Sequence, residues 1–184
     1  MNNRYWHMLR LYTIRSSMKR AEYMKKHGIF HSVGDRVMIT SRKIPLYAKL
    51  ISIGSNVWMA SGVEFIPHDV THYMLNGMND GHKYQEKIGC IDIGNNVFIG
   101  AGAKILYDVK VGDNVIIAAG ALVNKDIPSN TVCVGGYREG SFAHSRIISK
   151  DGGDLLWSIL RIILTSLSQR NVKKKCGQLS TVAA

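Results

Sequence analysis

A chain of 184 residues and 20.5 kDa accommodates one domain with terminal extensions, but not two full cores. Apolar residues make up 46% and charged residues 20%, with three prolines, which excludes wholesale disorder. The 24 lysines and arginines exceed the 13 acids, leaving a net charge of +11 that favours anionic partners such as a phosphorylated cofactor, nucleic acid or an acidic membrane face.

In chain order, the first segment is helical, residues 1–30. The stretch 11–27 (LYTIRSSMKRAEYMKKH) has helix-forming composition and amphipathic spacing, and Gly28 is its stop. Charges interrupt the N-terminus before an apolar core of a secretory signal can form. Cys90, Cys133 and Cys176 are isolated and odd in number, so a disulfide framework is not expected and a reducing, cytoplasmic compartment is.

The second segment, residues 31–136, is periodic. From Ile93 onward a β-branched residue recurs every six positions: Ile93, Ile99, Ile105, Val111, Ile117 and Val123. Four residues after each stand Val97, Ala103, Val109, Val115, Ala121 and Ile127, all apolar. Period six suits neither a helix nor a lone hairpin. It suits short parallel strands wound as a three-faced prism, with the leading side chains pointing inward and stacking about 4.8 Å apart. Glycine and asparagine between faces supply tight or left-handed corners. The same frame appears earlier at Ile53, Met59 and Phe65, with Val57 and Val63 at the plus-four positions, and Val33 to Ile39 forms a first coil. The interval from Ile53 to Ile93 is not a multiple of six, so the frame is interrupted between them. The interruption is the polar stretch 67–90, which reads as a long loop thrown out of the solenoid.

The third segment, residues 137–184, is an extension. Asp154 fits the N-cap of an amphipathic helix with the narrow polar stripe Ser158, Arg161, Thr165 and Ser168, followed by a basic tail. Its most apolar run, 155–167, is too short to span a bilayer but can lie on a membrane surface.

The run Asn96 to Gly136 (NVFIGAGAKILYDVKVGDNVIIAAGALVNKDIPSNTVCVGG) resembles the terminal coils of hexapeptide-repeat acyltransferases, which include the sugar O-acetyltransferases, the xenobiotic acetyltransferases and the polysaccharide-modifying enzymes. The similarity covers residues 33–136. It implies a left-handed parallel β-helix flanked by N-terminal and C-terminal α-helices, and acetyl-CoA as co-substrate. It also implies a homotrimer in which CoA lies between neighbouring subunits, with Trp58, Phe98 and Tyr107 as candidates for the interface.

The resemblance assigns roles residue by residue. His68, at the start of the interrupting loop, matches the family's catalytic histidine. An imidazole, which titrates near pH 6.5, can take a proton from an acceptor hydroxyl. Asp69 is placed to orient the ring or the acceptor. The amide of Ala101 matches the oxyanion donor of relatives. Ala119 lies in the small-residue path for pantetheine. Asn124 and Lys125 would meet the nucleotide end, where Lys125 can pair with phosphate as a point charge. Relatives continue with Gly-Asn-Pro-Ala-Arg/Lys, whereas this chain has Gly135-Gly136-Tyr137-Arg138-Glu139. Arg138 is therefore displaced by one residue and followed by an acid, and Arg146 or Lys150 can stand in for it.

The expected activity is acetyl transfer to a hydroxyl of a sugar or surface-polysaccharide precursor. N-acetyl transfer to an amino sugar, xenobiotic or amino acid is the alternative within the same chemistry. A non-catalytic or metal-binding β-helix is the alternative outside it. His68 and His72 are spaced one residue closer than the local pair of zinc ligands in γ-class carbonic anhydrases, and no third ligand is evident, so no metal is expected. Neither is a nucleic-acid partner. Peripheral contact with the inner face of a membrane is expected through the C-terminal helix.

Overall fold

The computed structural model describes residues 4–133 and the strand Phe142–Ala143. The chain divides into two compact units, Met1–Ser145 and Arg146–Ala184, and every described residue belongs to the first. The predicted C-terminal helix, its basic tail, Arg138, Arg146 and Lys150 lie outside the described residues.

The single helix predicted over 11–27 is two helices, α1 (Arg4–Thr13) and α2 (Ser17–Lys26). The break has a local cause. Ser16 is extended (φ −74°, ψ 128°) and its Oγ accepts the Lys19 amide at 3.4 Å, so it caps α2 instead of continuing α1. The predicted stop holds: Gly28 has φ 55°, its amide donates to Lys25 O, and the Ile29 amide donates to Met24 O.

The solenoid has three parallel faces. The first stacks β1 (Ser32–Val33), β3 (Ile51–Ile53), β8 (Ile91–Ile93) and β11 (Val109–Val111). The second stacks β2 (Met38–Ile39), β4 (Val57–Met59), β9 (Val97–Ile99), β12 (Val115–Ile117) and β14 (Val132–Cys133), with β15 (Phe142–Ala143) pairing antiparallel to β14. The third stacks β5 (Glu64–Ile66), β10 (Lys104–Leu106) and β13 (Leu122–Val123). The six leading positions predicted to point inward are buried, and so are the six apolar positions four residues after them, none above 4% exposure. Their methyl-bearing side chains fill the prism and exclude water from every coil.

The coils are less uniform than the period of six implies. Along the first face Val33 pairs with Ile53, Ile93 pairs with Val111, and Val111 bridges Ile127. The first of these steps is two positions longer than the second, and the third is two positions shorter. Ile127 therefore stacks under a leading position, not under the plus-four position that the sequence frame assigns it. The period-two pleat keeps it buried through this shift.

One corner is held by asparagine. Asn56, Asn96, Asn114 and Asn130 all have φ between 55° and 61°, and their side-chain amides form a ladder at 2.9, 3.0 and 2.9 Å. Two residues earlier in the first three of these coils stand Gly54, Gly94 and Gly112; a Cβ on Gly54 would lie 2.4 Å from the Gly94 carbonyl oxygen. Asn96→Ala removes two rungs of the ladder and leaves a left-handed backbone without its compensating amide. The variant is expected to lose about 1–2 kcal/mol, measured as a melting temperature lower by about 2–8 °C.

Candidate functional site

The interval from Ile53 to Ile93 is more than twice that from Ile93 to Val111, yet both pairs stack as neighbours in one sheet. The excess is taken up by the excursion that starts at Pro67. The excursion is not an open loop. β6 (His68–Asp69) pairs antiparallel with β7 (Lys87–Ile88), and the Gly89 amide donates to Pro67 O at 2.9 Å, which closes its base. Between these strands lies α3 (Thr71–Gly77). Asn76 clamps Tyr84 through both its amide nitrogen and its oxygen, at 3.0 and 2.8 Å, and the Tyr84 hydroxyl donates to Asp80 at 2.8 Å.

His68 is half-buried at the root of this excursion. Its ring meets Tyr47 edge-on, with centroids 5.4 Å apart and planes at 69°. Tyr47 has φ 54°, and its hydroxyl donates to Glu86 at 2.9 Å, so residues far apart in the chain wall the imidazole. His68 Nδ1 is buried and has no hydrogen-bond partner among the described residues, and the same holds for His72 Nδ1. Buried polar atoms in folded proteins are nearly always satisfied, so these two imidazole nitrogens stand out.

Asp69 does not bond to the imidazole. Its Oδ1 accepts the Thr71 amide at 2.7 Å and the Thr71 hydroxyl. These bonds hold the Asp69 carboxyl below its ordinary value, with Tyr107 and the neighbouring His68 acting in the same direction. Asp-x-Thr is a sequence signal for this turn. Tyr47 and Glu86, by contrast, carry no local signal and are brought in by coil stacking alone.

The third face separates the remaining predicted residues into two columns. Pro67, the corner Tyr107-Asp108, and Asn124-Lys125 all leave this face at one edge, since Ile66 pairs with Leu106 and Ile105 with Val123. Lys87 ties that edge together: its Nζ lies 2.5 Å from Asp108 Oδ2 and 5.6 Å from the Tyr107 ring centroid. Asn124 and Lys125 are exposed there. Ser61, Ala101 and Ala119 enter the face at its other edge, and the Gly120 amide donates to Ala101 O at 2.8 Å. Strands of this length put the two edges about 10 Å apart. One protomer thus groups His68 with Asp69 and Tyr47, and Ala101 with Ala119, at opposite edges. Trp58 and Phe98 are register partners on the outside of the second face, both exposed, while Tyr107 is half-buried beside Lys87. Among the described residues no group of three His, Cys, Asp or Glu side chains could hold a metal ion.

Residues 91–125 match the model of the bacterial transferase hexapeptide (six repeats). Protein CapG of Staphylococcus aureus is 48% identical over 89 residues, which is 47% of this chain and 48% of that protein. The chain thus spans about half the length of the curated relative it matches. Among solved structures, a hexapeptide-repeat containing acetyltransferase from Vibrio cholerae aligns with a TM-score of 0.56 and 18% identity, over 78% of this chain and 89% of its own. The form of that protein complexed with acetyl coenzyme A gives 0.54 and 18%, over 73% and 80%. The fold is a left-handed parallel β-helix built from hexapeptide repeats and preceded by helices. The chain thus carries the hexapeptide repeat of bacterial transferases over residues 91–125.

Proposed function

We propose that the chain is an acetyl-CoA-dependent O-acetyltransferase acting on a hydroxyl of a sugar or surface-polysaccharide precursor, with His68 as general base. The observation that carries this reading is the imidazole itself, half-buried at the root of the excursion, walled by Tyr47, with Nδ1 enclosed and unpaired. With Nδ1 enclosed, Nε2 is the nitrogen positioned to take a proton from an acceptor and return it to a departing thiolate.

The other residues fit the donor in kind. The corner of Ala101 and Ala119 is lined by small side chains. Next to it, Gly102 and Gly120 have no atom within 4 Å of where a Cβ would stand, so a slender chain can approach the backbone closely. The Ala101 amide takes no backbone acceptor among the described residues, which leaves it available to face an oxyanion. Acetyl-CoA, when bound, supplies the thioester. His68 and Ala101 sit at opposite edges of one face, so a site that uses both is completed by a neighbouring subunit, in keeping with a homotrimer. Asp69, occupied by Thr71, acts by holding the backbone beside His68 and not by orienting the ring.

The test is thiol release from acetyl-CoA with a panel of hydroxyl and amine acceptors. Transfer to a saccharide hydroxyl supports the reading, transfer confined to amines replaces the acceptor class, and no release with any acceptor leaves a scaffold. Lys125→Ala is expected to weaken acetyl-CoA binding roughly two- to fivefold at low salt. Titration calorimetry should show the difference closing as ionic strength rises. Equal affinity at every salt concentration would move the phosphate contact elsewhere.

A further inference from the structure

Helix α1 is apolar on both sides. Inward, Leu11 is fully buried and Met8 packs on the core. His7 Nδ1 and the Tyr23 hydroxyl lie 2.9 Å apart, which joins α1 to α2. Outward, Tyr5, Trp6, Leu9 and Tyr12 are 61–72% exposed. At the helical repeat they occupy one continuous arc of about 120°, in the order Tyr12, Tyr5, Leu9, Trp6. Arg10 is exposed at the Trp6 edge of the arc, and Arg42 stands over the Tyr12 ring at the other, 5.9 Å from its centroid. Residues 4–30 hold seven lysines and arginines and a single acid, Glu22.

A surface helix in water turns polar residues outward. This one turns out two tyrosines, a tryptophan and a leucine between two cations. We propose that the outward face of α1 docks on an anionic lipid surface. Tyrosine and tryptophan have an apolar body and a polar tip, and their rings settle at headgroup depth. Flanking arginines then meet lipid phosphates. A second copy of the chain is a poorer occupant. A helix as short as α1 is about 15 Å long, so its face falls well short of the ~800 Å² per partner of a standard protein interface. The inference is independent of the proposed activity and of the C-terminal stretch.

The experiment is co-sedimentation of the full-length protein with vesicles of phosphatidylcholine alone and of phosphatidylcholine mixed with phosphatidylglycerol, at low and high salt. The protein is expected to partition onto the anionic vesicles, less onto the neutral ones, and less as salt rises. A Tyr5→Ser/Trp6→Ser/Leu9→Ser variant is expected to partition roughly tenfold more weakly or worse. Arg10→Gln/Arg42→Gln loses roughly fivefold per charge, on anionic vesicles only. A circular-dichroism melt checks that the variants fold. Absence of partitioning by the wild type overturns the proposal. Unchanged partitioning of the triple variant also overturns it and assigns membrane contact to another part of the chain. A triple variant that loses self-association in sedimentation velocity but partitions as before makes the face an interface between copies, which overturns it equally.

Discussion

Replacing His68 with alanine is expected to lower acetyl transfer by roughly two to four orders of magnitude, the usual worth of a positioned general base. Acetyl-CoA affinity and assembly are expected to stay near wild type. The separation is expected because the imidazole is at the edge from which the excursion leaves the third face, while the small-residue corner of Ala101 and Ala119 is at the other. On the proposed reading, its loss is expected to remove proton transfer without removing contacts to the donor. The alanine leaves a gap beside Tyr47, but the Tyr47 hydroxyl is held by Glu86 and the antiparallel pair β6–β7 is main-chain, so the excursion keeps its shape. The measurement is kcat for thiol release with whichever acceptor the panel identifies, beside a calorimetric affinity for acetyl-CoA. Undiminished turnover would falsify the role of His68. A loss of affinity matching the loss of rate would make it a binding residue instead.

Replacing Arg20 with methionine costs the fold about 3 kcal/mol or more, from polar groups left unsatisfied. Arg20 is 3% exposed. Its guanidinium donates to Ile39 O and Thr40 O at 3.1 Å and to Ile14 O and Arg15 O at 2.9 and 2.8 Å. Among the described residues it forms no ion pair, so four carbonyl dipoles alone compensate the charge. Burial, with repulsion from Arg42 adding to it, pushes its pKa below the ordinary guanidinium value. The four carbonyls come from the break between α1 and α2 and from the end of β2, so this one side chain fastens both helices to the first coil. Methionine fills most of the volume and satisfies none of the carbonyls. The melting temperature is expected to fall by about 6–12 °C for a chain of this size. Arg20→Lys recovers only part of that, because a single ammonium lacks the planar fork that reaches four acceptors. A methionine variant that melts with the wild type would show that water satisfies the carbonyls and that the clamp is dispensable.

Much of the scaffold is legible residue by residue. The inward ladder from Ile93 to Ile127 is read directly from β-branched residues at a period of six, because each face repeats the same local rule and buries the same two positions. The asparagine corner is equally legible, since Asn tolerates left-handed backbone at little cost. The stretch where the frame breaks is legible too, as is Gly28 at the end of a helix, whereas His68 within that stretch is singled out by the family resemblance. Two local side-chain contacts escape the periodic reading. The helix break at Ser16 depends on one side-chain cap, and α3 on a carboxylate turn begun by Asp69.

The amino-acid order alone determined the period, the inward residues, the corner chemistry and the place where a polar excursion must leave the coils. All of these are short-range rules that each repeat obeys independently of its neighbours. Only the tertiary structure decided that coils of unequal length stack in register, that Tyr47, its hydroxyl held by Glu86, stands beside His68, and that Arg20 closes on four carbonyls. It also decided that α1 turns aromatic rings outward. Those placements depend on how successive turns add up along the axis. Lengthening or shortening any coil shifts which corners meet, and no local pattern records that sum.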